Sequence, residues 1–214
     1  MARRRVAHKV LGVSALVVLS AAAGMVGLAG PAAADAVTTP AELRAAIDAA
    51  NSSSDPTTID LVAGTTYTFS GDECGDGPED DNESGDLDLR GTADVILEVA
   101  TGAPATIQMS CPGERVIQFQ PESEATLTLE NLVITGGDAQ GDDVDDSIGG
   151  GVVAAGGDLV LDHTTVTGNR ANTNGTGFLG GSGGGVVIVE GALTGTNSTI
   201  TNNQAGDGTT GAAG

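Results

Sequence analysis

Hydrophobic positions recur with two different periods in this chain, and the switch between them divides it. Leu43, Ala46, Ile47 and Ala50 fall at helical spacing on one face. Thr39-Pro40-Ala41-Glu42 supplies a capping box ahead of them, with Thr at the N-cap, Pro at the first helical position and Glu at N3. Asn51-Ser52-Ser53-Ser54-Asp55-Pro56 then stops the helix after about three turns. From Thr57 onward the period is two. Thr57–Leu61, Thr66–Phe69, Val95–Val99, Thr106–Met109 and Val116–Phe119 are short β-branched runs separated by Gly, Pro, Asp and Asn. In Thr126-Leu127-Thr128-Leu129-Glu130 and Asp158-Leu159-Val160-Leu161-Asp162 the leucines turn to one side and their neighbours to the other.

These strands belong to a longer repeat. Gly149-Gly150-Gly151-Val152-Val153 returns as Gly183-Gly184-Gly185-Val186-Val187, 34 residues later. Thr167-Gly168-Asn169-Arg170-Ala171 returns as Thr201-Asn202-Asn203-Gln204-Ala205, again 34 later, and Leu127 to Ala139 aligns with Leu159 to Ala171 at an offset of 32. A fixed period of this size means stacked units, each buried only by its neighbours. The expected fold is all-β: a right-handed parallel β-helix over residues 57–214, preceded by a short capping α-helix within residues 35–56. Consecutive coils lie about 4.8 Å apart, so equivalent side chains form ladders. Asn169 and Asn203 are the clearest ladder, with amides able to bond to each other and to the backbone. The helix is placed to cover the open edge of the first coil. At the other end the repeat calls for another coil after Ala205, so the sequence predicts a truncated solenoid or an end capped by another molecule.

Residues 1–34 read as a secretory leader. Arg3, Arg4, Arg5 and Lys9 precede an apolar stretch from Val10 to Gly30, and Ala32-Ala33-Ala34 offers a cleavage site. The long apolar stretch leaves an uncleaved anchor as the alternative. No other segment is apolar enough to span a bilayer, so no membrane span is expected after cleavage. The chain carries 29 acidic residues against eight Lys and Arg, a formal net charge of −21, and half of the basic residues lie in the leader. Such a surface repels phosphate backbones and excludes nucleic acid as a partner. Cys74 and Cys111 are the only cysteines, and an even count in an exported chain predicts one disulfide.

The segment Leu43-Arg44-Ala45-Ala46-Ile47-Asp48-Ala49-Ala50-Asn51, with Thr58-Ile59-Asp60-Leu61, Thr66-Tyr67-Thr68 and Gly85-Asp86-Leu87-Asp88-Leu89 after it, resembles the N-terminal region of CSLREA-type exported bacterial proteins. Pro40-Ala41-Glu42 stands where that family carries the Cys-Ser of its name. The Gly-Gly-Gly-Val and Gly-Asn-Arg-Ala/Asn-Asn-Gln-Ala elements resemble the repeats of polymorphic outer-membrane proteins. The resemblance implies a pectate-lyase-like β-helix, secreted or associated with the cell wall, and hands over no catalytic residues.

Two constellations are candidates for chemistry. Residues 72–88 are acidic, and Asp72, Asp76, Asp80, Asp81 and Asp86 are candidate calcium ligands on a glycine-bent loop. Residues 138–146 hold a second acidic run. Neither matches an EF-hand or a calcium-binding nonapeptide, and a solvated insertion is the competing reading of both. Calcium is the only cofactor implied. Separately, Glu130 and Asp162 align on adjacent coils, roughly 5 Å apart. His163 sits beside them, and Asn131 and Asn197 occupy its position in the neighbouring coils. A close carboxyl pair suits a retaining glycosidase, yet any acidic ladder gives that spacing. Four scattered arginines and no lysine beyond the leader make a poor groove for a polyanion, which argues against lyase chemistry. The leading expectation is a structural or adhesive surface protein that meets a carbohydrate or another cell-surface component. A polysaccharide lyase or glycoside hydrolase is the alternative.

Overall fold

The computed structural model describes residues 36–74, 82–140, 147–171 and 182–206. They wind as a parallel β-solenoid of about four turns, closed at its start by one helix. That helix, α1, is Pro40–Asn51, and its capping box forms as expected: Thr39 Oγ1 accepts from Glu42 N (3.2 Å), and Glu42 Oε2 accepts from Thr39 N (3.1 Å). Leu43, Ile47 and Ala50 bury one face of α1 against the first coil. The Asn51 amide ties its C-terminal end down, donating to Asp88 O and accepting from Arg90 N, each at 2.8 Å.

The first coil comprises β1 (Thr57–Asp60), β2 (Thr66–Phe69) and β3 (Leu87–Leu89). The second comprises β4 (Val95–Glu98), β5 (Ala105–Met109) and β6 (Ile117–Phe119). In the third, β7 (Thr126–Glu130) and β8 (Leu132–Thr135) are followed by the short β9 (Asp138–Ala139) and by β10 (Val152–Ala155). The fourth repeats this with β11 (Asp158–Asp162), β12 (Thr165–Thr167), β13 (Arg170–Ala171) and β14 (Val186–Val189). A further coil opens with β15 (Leu193–Thr196) and β16 (Thr199–Thr201). Stacking yields a first sheet β1-β4-β7-β11-β15, a second β2-β5-β8-β12-β16, a third β3-β6-β10-β14, and the pair β9-β13.

Register follows the repeat residue for residue. Leu127 pairs with Leu159, Val152 with Val186, Thr167 with Thr201, and Ala139 with Ala171, all in parallel. Inward side chains therefore form continuous columns, Ile59-Leu97-Leu129-Leu161 in the first sheet and Tyr67-Ile107-Ile134-Val166 in the second. All eight are buried, and each stabilises the fold by about 1.5–3 kcal/mol relative to exposure. Outward positions of the second sheet form two further columns. One runs Thr66-Thr106-Val133-Thr165-Thr199 and the other Thr68-Gln108-Thr135-Thr167-Thr201.

The two repeated motifs lock into each other. Gly149 and Gly183 turn the chain with φ of 62° and 59°, in the left-handed region that glycine enters without strain. A Cβ on Gly150 or Gly184 would overlap the carbonyl of Arg170 or Gln204, and one on Gly151 or Gly185 would strike the amide of Asn169 or Asn203. The triple glycine thus makes room for the asparagine ladder. Asn169 is fully buried. Its Oδ1 accepts from Gly137 N (3.0 Å), and its Nδ2 donates to Ile134 O (3.1 Å) and to Asn203 Oδ1 (3.0 Å).

Cys74, in a single 3₁₀ turn over Gly71–Cys74 of the first coil, is disulfide-bonded to Cys111 of the second. Two outcomes follow from these constraints. Asn169→Ala orphans buried donors and acceptors and is expected to lower unfolding stability by about 1–3 kcal/mol in urea titration. Half-buried Asn203 should cost less on the same change, and equal losses would contradict the burial argument. Reducing Cys74–Cys111, which closes a 37-residue span, should cost roughly 3–4 kcal/mol. An unchanged urea midpoint after reduction would show that the first two coils need no crosslink.

Candidate functional site

The Glu130–Asp162 pair is part of a longer ladder. Asp60, Glu98, Glu130 and Asp162 close β1, β4, β7 and β11 and pair in sequence, so four consecutive coils each place a carboxylate on the outer face of the first sheet. Asp60 and Glu98 were not anticipated, although the signal was present: each follows an inward Ile or Leu, as Glu130 and Asp162 do. Thr196 continues the column on the next coil. Burial, then the like charges of Glu130 and Asp60, then a hydrogen bond with Asp60 raise the Glu98 carboxyl above its ordinary value.

His163 lies next to the ladder for a backbone reason. Asn131, His163 and Asn197 occupy equivalent turns with φ of 57°, 49° and 52°, a conformation for which Asn and His are enriched among non-glycine residues. Backbone bonds knit these turns together, Asn131 N donating to Asp162 O and His163 N to Thr196 O, each at 2.9 Å. His163 Nε2 sits 3.2 Å from Asn197 Nδ2. Its Nδ1 is 2.8 Å from Asp162 Oδ1, an ion-pair distance without aligned hydrogen-bond geometry. The imidazole is more than half exposed (59%). The expected trio is therefore brought together, on an open face.

A cleft of about 470 Å³ opens along the turns that lead into the first sheet, lined by Asp94, Glu124, Asp158 and Glu190. Two of these carboxylates are engaged in holding coils together: Asp94 Oδ1 accepts from Thr126 N and Asp158 Oδ1 from Ala192 N, each at 2.8 Å.

The first acidic segment is organised by arginines where it is described. Arg44, a buried residue of α1, pairs with Glu73 at 3.0 Å and donates to the carbonyls of Asn82, Ser84, Gly85 and Asp86. Its guanidinium lies 4.8 Å from the Phe69 ring centre. Asp86, a candidate calcium ligand, is buried and paired with Arg115 at 3.1 Å. Asp88 is also buried and lies 3.4 Å from Arg90. The described residues Asn82 to Asp86 are thus held against α1, their carbonyls filling the Arg44 guanidinium. Asp72 is exposed on the 3₁₀ turn. Asp76, Asp80 and Asp81, like the acidic run 141–146, lie outside the described residues. Among the described residues no group of three or more His, Cys, Asp or Glu is arranged to hold a metal ion.

Comparison with protein-family models, with curated proteins and with solved structures gives no match.

The ladder makes a pH-dependent contribution with a definite sign. The folded chain holds the Glu98 proton more tightly than the unfolded chain, so Glu98 favours folding below the ordinary carboxylate pKa, and this is lost as pH rises through its folded value. Glu98→Gln is expected to raise Tm at neutral pH by on the order of 1–3 °C and to leave it almost unchanged near pH 3. An equal gain at both pH values would refute a charge origin. For the acidic segment, superimposable melting curves in calcium and in chelator are expected if Arg44 and Arg115 supply its counter-charge, whereas a chelator-sensitive melt would return calcium to it.

Proposed function

We propose that this chain is an exported β-solenoid with a structural or adhesive role, holding its outer faces against a carbohydrate or another component of the cell surface. The observation that carries this reading is the in-register column. Outward side chains repeat on up to five successive strands of one sheet, so a contact made by one coil is repeated by the next without reorganisation, and weak contacts add. Hydrogen bonds between coils restrain the faces in advance, which lowers the entropy lost on contact with an extended surface. Secretion, or association with the wall, follows from the leader-like residues 1–34. Among the described residues no helix is long and apolar enough to cross a membrane.

The Leu43–Asn51 segment and the repeated Gly-Gly-Gly-Val elements support kinship with CSLREA-type proteins and a pectate-lyase-like solenoid. Fold kinship alone assigns no activity.

The enzymatic alternative draws on the ladder itself: Asp60, Glu98 and Glu130 stand on adjacent coils, burial and then the like charges of Glu130 and Asp60 raise the Glu98 carboxyl above its ordinary value, and close carboxyl pairs in unequal environments are what glycoside hydrolysis uses. The two readings separate in one assay. The full chain, incubated with uronate-containing and neutral glycans with and without calcium, is expected to sediment with insoluble glycan or cell-wall material and to release nothing. New reducing ends or unsaturated products that disappear in Glu98→Ala, Glu130→Ala or Asp162→Ala would replace the adhesive reading with a hydrolase or lyase.

A further inference from the structure

The outer face of the second sheet differs from the rest of this molecule. All of its outward positions on five strands are threonine, except Val133 and Gln108. No charged side chain stands in either column, in a chain with 29 acidic residues. The first sheet, by contrast, exposes a carboxylate on each of four coils. Nor does this face carry an aromatic ring, the usual platform for a sugar.

Its hydroxyls are also left open. Within the two columns the one hydrogen bond to a protein group is from Thr68 Oγ1 to Gln108 Oε1, at 3.5 Å. Elsewhere the fold uses its threonine hydroxyl fully: Thr164 Oγ1 donates toward Leu129 O and Asp162 O and accepts from Leu132 N. The face is thus a two-dimensional lattice of methyl and hydroxyl groups, with steps of about 4.8 Å along the axis and about 6.6 Å along each strand. Val133 keeps the methyl pattern where it lacks the hydroxyl.

We propose that this threonine lattice is an ice-binding face. Its coil step of about 4.8 Å lies close to the shorter repeat of the oxygen atoms on a prism face of ice. Methyl groups seat in the hollows of such a lattice while hydroxyls continue its hydrogen bonding. Charged groups, which impose their own hydration shells, would spoil that match, and they are missing from this face alone among the two five-stranded sheets. The inference does not depend on the adhesive reading, because it rests on the uncharged threonine composition of this one face and concerns a different partner.

The test is thermal hysteresis and inhibition of ice recrystallisation by the purified full chain at micromolar concentration. The chain should depress the freezing point below the melting point and facet growing ice. Thr167→Lys, which puts a charge among Thr135, Thr165 and Thr201, is expected to abolish both effects while circular dichroism and Tm stay unchanged. Thr167→Val, which removes only a hydroxyl, should retain part of the activity. Thr128→Lys, outward on the first sheet, should retain all of it. Absence of hysteresis and faceting in a folded chain overturns the proposal. So does equal loss in Thr167→Lys and Thr128→Lys, or binding to crystalline cellulose or chitin that Thr167→Lys removes while ice remains unaffected.

Discussion

Every column of this molecule depends on one constraint: adjacent coils are hydrogen-bonded in parallel without a slip. A shift by one residue would turn each inward leucine outward and each outward threonine or carboxylate into the core. Side chains reinforce the backbone against that shift. Asn131 Nδ2 donates to Val99 O (3.1 Å), Leu132 N to Thr164 Oγ1 (3.2 Å), and Asn169 N to Asn203 Oδ1 (3.0 Å). Each bond runs from one coil to its neighbour, and each sits at a turn, where the sheets cannot supply a partner. The turns therefore carry register information that the strands alone would leave ambiguous.

The same constraint decides where charge goes. A solenoid repeats whatever it exposes, so a carboxylate acceptable on one coil becomes a ladder on four, and like charges accumulate at the spacing of the coils. Glu98, flanked on both sides, is where this is felt. Charge is neutralised instead where the loops return to the body. Arg44 and Arg115 are both buried, and both face carboxylates or carbonyls of the segment between β2 and β3. A buried arginine is retained at little net cost only when its fork of donors is filled, and Arg44 fills it with one carboxylate and the carbonyls of the loop. The helix is thus more than an apolar lid, because it also clamps the first loop.

Much of this was legible from the chain alone. Offsets of 32 and 34 residues between like motifs are statements about neighbours in space, and the strands pair at those offsets. The capping box and the cysteine pair were legible for similar reasons: one is local, and the other had no competing partner. What escaped was set by contacts without a period. Arg44 lies within a helical pattern whose apolar face explains Leu43 and Ile47 but says nothing of a guanidinium that bonds to residues 73 and 82–86. Only a pair of the ladder is legible in the sequence, because the first two coils lack the glycine signature that announces the later ones. The φ values of Asn131, His163 and Asn197 give a backbone reason for a histidine at this turn, one that spacing along the chain does not show.

A distance measurement tests the stacked register most directly. Thr58, Ile96, Thr128, Val160 and Thr194 form one outward column of the first sheet, so Thr58 and Thr194 stand four coil steps apart although 136 residues separate them in sequence. Spin labels at these two positions, read by pulsed electron paramagnetic resonance, should give a narrow distribution centred near the ~19 Å that four coil spacings require, allowing for the label arms. A broad distribution, or a mean beyond about 35 Å, would mean that the coils do not stack as described here.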